Sequence, residues 1–395
     1  MSLKIKLSYI LYLISYILFT IYSYAFLDVG LTLTSFRQYL EFQEKMRWFG
    51  YFNRPMSTLI FIFLCSSLYT LYFMLYTFIN KAKIPLTKIL LAAILISGIL
   101  ILAYPAFSHD IFNYIFNAKM VLIYHADPHK IAAWNFPDPM LGFMRNIHTP
   151  APYFYGWTII SLIPFILGLN RIFVEIISFK VFSVALFLLT YIVLNKILQK
   201  LKFANIHKRL HLFLLNPLIL IEAIGVGHND FSMMLPVLLS FYFLIIYKEK
   251  KLLKYLLSSI FCLLFSISTK YASVILLPLF VCWYFKNDFD LGLWGAILLF
   301  LIPFSRPLDQ LHSWYLLWPL TWVFLAKNTK AVYFFCLLSF FALLRYAPYI
   351  WYGNWDPPVP IQRLIIYLLL PGLLLIIGVL RKLMGNSNFF FNKTK

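Results

Sequence analysis

Two carboxylates beside apolar segments are the residues of this chain best placed to do chemistry. The chain has only 14 Asp and Glu among 395 residues. Asp110 follows an apolar segment that ends near residue 107, and Asp230 closes the stretch EAIGVGHND. A carboxylate within hydrogen-bond reach can take the proton of a reacting hydroxyl. The alternative for both residues is helix capping, because Ser108 and Asn229 stand just before them.

Basic residues in or near apolar segments could bind an anionic group. Lys270 lies in an apolar hairpin, where an ammonium is costly unless an anion meets it; the alternative is a side chain that snorkels to the lipid headgroups. Cations of this kind can stabilise a departing phosphate. The candidates on the predicted outer face are Lys119, Lys270, Arg306, Arg345 and Arg363. For Arg345 and Arg363, pairing with Asp356 or with headgroups is the alternative.

Histidines and aromatic residues complete the set of candidate binding residues. His228 and His312 fit either a buried structural hydrogen bond or a substrate site. Trp314 and Tyr315 have flat apolar faces that could stack on a sugar ring or on isoprenoid. None of the four cysteines belongs to a CxxC pair, so neither a zinc site nor a disulfide framework is indicated.

The composition predicts that a membrane holds these residues in place. Hydrophobic residues make up 62% of the chain and charged residues 12%, with a mean hydropathy of +0.81. Soluble domains are about a quarter charged, and apolar runs of about twenty residues, enough to cross a bilayer, recur along nearly the whole length. The net charge of +20 sits in short clusters between these runs rather than on one extended face, which argues against nucleic-acid binding.

The sequence predicts one all-α polytopic domain over residues 1–395, with about twelve transmembrane helices. We place the spans near 7–27, 55–80, 86–107, 171–195, 210–227, 231–247, 255–268, 270–285, 291–305, 313–326, 331–349 and 361–380. Pro164 and Gly168 interrupt segment 153–169, and counting it as a span would put a Lys/Arg cluster outside. The positive-inside rule therefore makes it a re-entrant or partial helix. Both termini are then cytoplasmic, and Lys and Arg concentrate on the inner side.

Three features are expected on the outer side. Residues 28–54 mix charges with aromatics and could form an interfacial helix or loop. Residues 108–152 form the most polar outer loop and carry Asp110. The spans 255–268 and 270–285 are short, which predicts a break around Ser268–Lys270, and such breaks line cavities. The topology thus puts Asp110, Asp230, Lys270 and His312 on one face.

The motifs around these residues resemble the GT-C glycosyltransferases, most closely the bacterial polyprenyl-phosphate-mannose-dependent mannosyltransferases. The resemblance covers roughly residues 85–330 and departs from the family pattern at Phe154 and Ser313. The matching elements, in order, are Asp110, Tyr114, Ala118, Lys119, Asp127 and Pro128 in the outer loop, then TPAPYFYGW (149–157), GHND (227–230), STKYASVILLP (268–278) and HSWYLLW (312–318).

The resemblance implies transfer of a monosaccharide, mannose first, from a polyprenyl-phosphate donor to a glycan, lipid or protein acceptor on the outer face of the cell membrane. It implies Asp110 as the general base of a single inverting displacement that requires no metal or other cofactor, although some relatives bind a divalent cation. Substrate-binding candidates are Tyr114, Tyr153, His228, Asn229, Asp230, His312, Trp314 and Tyr315.

Two other functions would also need charged residues at one face of a bundle. The first is a transporter or flippase for lipid-linked saccharides, which should expose a polar path to both sides of the membrane. The predicted spans carry almost no ionisable groups toward the inner half, which argues against it. The second is a non-catalytic partner of another transferase.

Overall fold

The computed structural model of the chain describes residues 3–82, 84–286 and 288–377, and these contain helices but no β-strand. The first seven α-helices are α1 (Leu3–Ser23), α2 (Arg37–Phe52), α3 (Arg54–Ala82), α4 (Leu86–Ile101), α5 (Asp110–Leu122), α6 (Tyr155–Gly168) and α7 (Ile172–Lys200). The later ones are α8 (Ile206–Leu214), α9 (Pro217–Leu220), α10 (Asp230–Lys250), α11 (Leu253–Thr269), α12 (Leu276–Phe285), α13 (Leu291–Leu301), α14 (Leu317–Val323), α15 (Thr329–Leu344), α16 (Ala347–Tyr352) and α17 (Val359–Leu364).

The all-α class of a membrane protein is confirmed, but the predicted number of twelve spans is not. Among the described residues, six helical segments are long and apolar enough to cross a membrane, and a seventh qualifies if α8 and the helix that follows it count as one bent span. Five further apolar helices of 10–17 residues, among them α4, α6 and α11, are shorter than a crossing needs. The predicted break at Ser268–Lys270 is present, because α11 ends at Thr269 and Lys270 is extended, with φ −150°.

Helix α10 forms the centre of the bundle. About 78% of its most apolar stretch is buried, and it packs against α7, α11 and α14. Interior tyrosines tie the surrounding helices together through their hydroxyls. Tyr12 donates to the Leu215 carbonyl at 2.5 Å, and Tyr72 donates to the Leu212 carbonyl at 2.8 Å. Such bonds satisfy carbonyls freed where the helical path breaks between α8 and α9.

A second, smaller apolar cluster supports the segment that carries Asp110. It joins α5 to α6, α7 and the loop between α5 and α6, with Phe112, Phe116 and Trp157 buried in it. The connection between α1 and α2 contacts the same segment through Asp28. The Asp28 carboxylate accepts from the Tyr104 hydroxyl at 2.6 Å and lies 2.9 Å from His109 Nε2. The residue before Asp110 is therefore held by a neighbouring loop.

Candidate active site

Five chain segments meet at one end of the bundle and enclose a cavity of about 450 Å³. These segments are the start of α5, Asn146 in the loop before α6, residues 152–154, the break between α11 and α12, and residues 302–318. The cavity is lined by both acidic and basic groups together with aromatic rings. The sequence-predicted site residues on its wall are Asp110, Tyr153, Lys270, Arg306, His312, Trp314 and Tyr315.

Asp110 begins α5 and is the acidic group on this wall. Its backbone amide donates to Ser108 Oγ at 3.2 Å, and the Tyr114 hydroxyl lies 3.4 Å from its Oδ2. The side chain keeps 26% of its surface exposed, which leaves the carboxylate accessible from the cavity. Burial raises the pKa of the Asp110 carboxyl, while the charge of Lys270 and a hydrogen bond from Tyr153 partly oppose that rise.

Three buried polar side chains, His228, Glu222 and Tyr346, form a row that begins next to Asp110. His228 Nδ1 is 3.6 Å from Asp110 Oδ2, and its Nε2 is 3.4 Å from Glu222 Oε2. The Tyr346 hydroxyl donates to the other Glu222 oxygen at 2.9 Å. Both ring nitrogens of His228 lack a hydrogen-bond partner within the described part of the chain. The imidazole is thus near two carboxylates without being engaged by either.

Gly227 brings His228 to this position. It follows the π-helical turn Ile221–Val226 and adopts left-handed backbone, with φ +88°, which favours glycine. A Cβ at this residue would lie 2.9 Å from the Ile111 side chain. The turn therefore packs directly against the first turn of α5, beside Asp110.

Asp230 and Lys270 form a buried ion pair. Lys270 Nζ is 2.7 Å from Asp230 Oδ1, and the side chains are 13% and 0% exposed. Trp318 Nε1 donates to the same oxygen at 2.5 Å. The capping alternative for Asp230 therefore does not account for its contacts, although it does begin α10. The pair holds the ammonium at the cavity wall, with two of its three donors left for another acceptor.

Aromatic rings form the opposite wall. The Trp314 indole lies between His228 and His312, with both ring centroids 4.2 Å away. Burial and the nearby Arg345 charge lower the pKa of His312 to about 3, so its imidazole is neutral near pH 7. Arg306 Nη1 donates to the Tyr315 hydroxyl at 3.1 Å. The Tyr315 ring, with the Arg306 guanidinium carbon 6.0 Å from its centroid, is an aromatic surface beside a cation, which suits a sugar phosphate.

Several buried polar atoms beside the cavity have no partner among the residues described. They are Asp230 Oδ2, Glu222 Oε2 and both amide atoms of Asn229. Buried polar groups are almost always paired, so each exception needs a cause. None of these atoms belongs to a residue that lines the cavity, so they lie behind its wall and not on it.

Three predicted phosphate ligands do not line this cavity. Lys119 pairs with Asp138 at 2.6 Å, inside the cluster around α5. Arg345 is buried, and its positive charge contributes to the lowered pKa of His312. Arg363 stacks on Trp355, with its guanidinium carbon 4.3 Å from the ring centroid. For these three residues a direct contact with the donor stays a prediction.

The sequence analysis did not single out Trp318 and Tyr346. Trp318 is the last residue of the HSWYLLW motif, so the motif itself contained the signal. Tyr346 lies in the strongly apolar stretch that forms α15 and α16. No local sequence pattern indicates that its hydroxyl makes a buried hydrogen bond. No group of three or more His, Cys, Asp or Glu side chains that could hold a metal ion occurs among the described residues, and metal independence stays a prediction.

A smaller cavity of about 50 Å³ lies on the other side of Asp110. Its polar lining comes from α5 and the outer loop, and includes Asn113, Asn117 and Arg145. Asp110, Asn146, Pro152 and Tyr153 belong to the walls of both cavities. Asp110 thus stands where the two spaces meet.

One protein-family model matches the chain over residues 20–286, about two thirds of its length. It is the model of the MptA_B family, described as alpha-(1->6)-mannopyranosyltransferase, N-terminal domain. The matched part contains Asp110, the GHND motif and Lys270. No curated protein and no solved structure matches the chain.

Proposed function

Because the chain belongs to the MptA_B family and is therefore a membrane mannosyltransferase of the GT-C type, we propose that it transfers mannose from a polyprenyl-phosphate donor to a hydroxyl of a glycan or lipid acceptor. Membership of this family favours transfer over the transporter and the non-catalytic partner. The donor, the acceptor and the roles of individual residues belong to the proposal.

In the proposed reaction one bond forms and one breaks at the anomeric carbon of the donor mannose. The acceptor oxygen attacks this carbon, and the bond from the carbon to the phosphate oxygen breaks. The polyprenyl phosphate leaves with the electron pair of that bond. The Asp110 carboxylate takes the proton of the attacking hydroxyl. The configuration at the carbon inverts because the attack comes from the face opposite the leaving group.

The donor would occupy the larger cavity. Lys270 and Arg306 are the cations on its wall, and an ammonium and a guanidinium in a partly buried site stabilise a departing phosphate. The ion pair with Asp230 fixes Lys270 before the donor arrives, so little ordering is needed on binding. The exposed Phe154 ring on the same wall would carry the sugar or the first isoprene unit.

The acceptor would approach Asp110 from the smaller cavity. A space of about 50 Å³ admits one arm of a sugar rather than a whole ring. An exocyclic hydroxymethyl group fits this description, and it is the position that a 1→6 linkage uses. The side-chain amides of Asn113 and Asn117 supply donors and acceptors that suit hydroxyl groups.

The single observation that carries this proposal is the position of Asp110 on the wall common to both cavities, with Lys270 and Arg306 in only one of them. A base that meets two substrates must lie between their sites, and the phosphate-stabilising charges must lie on the donor side. The predicted cytoplasmic termini and outer-face site agree with a lipid-phosphate donor, and they remain part of the proposal.

A choice between two donors tests the proposed chemistry. The purified chain is given a glycan acceptor with either polyprenyl-phosphate mannose or a nucleotide-linked mannose. We expect mannosylated product from the lipid donor alone, because the cavity offers cations for one phosphate beside an aromatic surface. Product from the nucleotide donor alone would overturn the donor assignment.

The pH dependence of transfer should report the Asp110 carboxyl. The base works only when ionised, so kcat/KM falls as the pH drops through its pKa. Since burial raises that pKa, we expect the midpoint above the ordinary aspartate value of about 3.9. Tyr153→Phe should move the midpoint to higher pH, because the hydrogen bond from Tyr153 stabilises the carboxylate.

Tyr271→Phe is the matched control, because Tyr271 lines the same cavity and does not contribute to the shift of Asp110. We expect it to leave the midpoint unchanged. If the wild type shows no acidic limb, or if both variants shift it equally, Asp110 is not the group that titrates.

A further inference from the structure

A third cavity, of about 700 Å³, lies at the other end of α10 from the candidate active site. Asp230 begins α10, whereas Lys248 and Glu249 near its end line this cavity. Eighteen residues of helix separate Asp230 from Lys248, a distance of about 27 Å. The cavity is therefore separate from the site proposed for mannosyl transfer.

Positive charge dominates the wall of this cavity. Five basic residues line it against two acidic ones. Glu249 is already paired with Lys200 at 2.5 Å. Asp290 accepts hydrogen bonds from the backbone amides of Leu293 and Lys327, at 3.0 and 3.1 Å. The basic residues are Lys200, Lys202, Arg209, Lys248 and Lys327.

Arg209 is the buried member of this group. It is 5% exposed, and its Nη1 donates to the Phe324 carbonyl at 2.8 Å. Its Nε has no hydrogen-bond acceptor in the described ranges, and its guanidinium carbon lies 4.8 Å from the centroid of the Phe203 ring. The charge of Asp290 on the same wall partly stabilises this guanidinium, and a phosphate in the cavity would add a second anion beside it.

The loop between α7 and α8 forms one edge of the cavity. Lys202 has positive φ, 53°, as the left-handed residue that ends α7, where the Phe203 amide donates to the Leu198 carbonyl at 3.0 Å. The tight helix ending places Lys202 at the cavity rim. Positive charge spread over an inner membrane surface explains exposed lysines, but it does not explain a buried arginine in a cavity wall.

We propose that this cavity is a second ligand site, which binds a phosphate-bearing anion. Arg209 contacts the phosphate from within, and the lysines surround it from the rim. The rings of Trp283 and Phe289 on the same wall accommodate the apolar part of the ligand. A phospholipid headgroup and a soluble phosphate ester share the chemistry that this site recognises.

Binding of three probes to the purified full-length chain tests this site. The probes are phosphatidylglycerol, phosphatidylcholine and glycerol 3-phosphate, followed by native mass spectrometry or by the rise in unfolding temperature. The test variant is Lys202→Gln with Lys327→Gln, since both residues are exposed at the rim. The control is Lys196→Gln with Lys254→Gln, which removes two exposed charges at the same end of the bundle but outside the cavity.

We expect the wild type to prefer phosphatidylglycerol to phosphatidylcholine. The rim variant should bind it about 10- to 30-fold more weakly, the loss expected for two lysines near a phosphate, and the control should bind it as the wild type does. If glycerol 3-phosphate shows the same loss, the phosphate alone is recognised; if only phosphatidylglycerol binds, the ligand is a lipid. Failure of both anionic probes, or equal weakening in the two variants, would overturn the proposal.

Discussion

We expect Asp110→Asn to lower the rate of mannosyl transfer by about 10²- to 10⁴-fold, the usual contribution of a positioned general base. The amide cannot accept the acceptor proton, but it keeps the size of the carboxylate. Folding and donor binding persist, because the side chain is 26% exposed and its hydrogen bond from Tyr114 is long, at 3.4 Å. Single-turnover measurements with saturating polyprenyl-phosphate mannose give the rate of the chemical step.

Glu41→Gln is the matched control for this prediction. Glu41 is a surface carboxylate that pairs with Arg37 on α2 and is 56% exposed, so its loss removes the same charge far from either cavity. We expect wild-type turnover from it. An Asp110→Asn variant that turns over as fast as Glu41→Gln contradicts the assignment of the base.

We expect Lys270→Gln to weaken donor binding by about 10- to 100-fold, the effect of losing one hydrogen bond to a charged group. The substitution has a second effect, because it leaves the fully buried Asp230 without its cation. Breaking a buried pair in this way costs about 3–5 kcal/mol of stability. Lower activity of this variant alone would therefore not separate donor binding from folding.

The double variant Lys270→Gln with Asp230→Asn separates the two effects. It removes both charges, and the new amide oxygen can still accept from Trp318 Nε1, which now donates to Asp230 Oδ1. We expect the unfolding temperature to recover toward the wild-type value while the affinity for polyprenyl-phosphate mannose stays low. Recovery of donor affinity together with stability would show that Lys270 has only a structural role.

The membrane class and the break at Lys270 were predictable because they depend on composition and on local text. Few charges and repeated apolar runs indicate a membrane protein. The apolar segments that become α11 and α12 are each too short to cross a membrane, which predicts a break in the helix between them. The number of spans was not predictable in the same way. Sequence reasoning judged each apolar run by its hydropathy, whereas α13 ends after 11 residues and continues as a 3₁₀ turn, and Pro217 restarts the helix after α8.

The candidate site was predictable in its members more than in its contacts. Asp110, Lys270 and His312 stand out as polar residues at the ends of apolar segments, and the structure places them on one cavity wall. The pairing of Lys270 with Asp230 joins residues 40 positions apart, and no local pattern encodes such a contact. Lys119 was expected to face a phosphate, but it pairs with Asp138. The path of the loop that carries Asp138 depends on the apolar cluster around α5, which the sequence does not show.

The position of the donor phosphate tests the central claim most directly. A structure of the Asp110→Asn variant with polyprenyl-phosphate mannose would show the intact donor in its site, because the variant is expected to bind the donor but to transfer mannose very slowly. The account predicts the phosphate beside Lys270 and Arg306 in the cavity of about 450 Å³, with the anomeric carbon facing residue 110. A cavity without phosphate beside Lys270 and Arg306, or an anomeric carbon that faces away from residue 110, would contradict it.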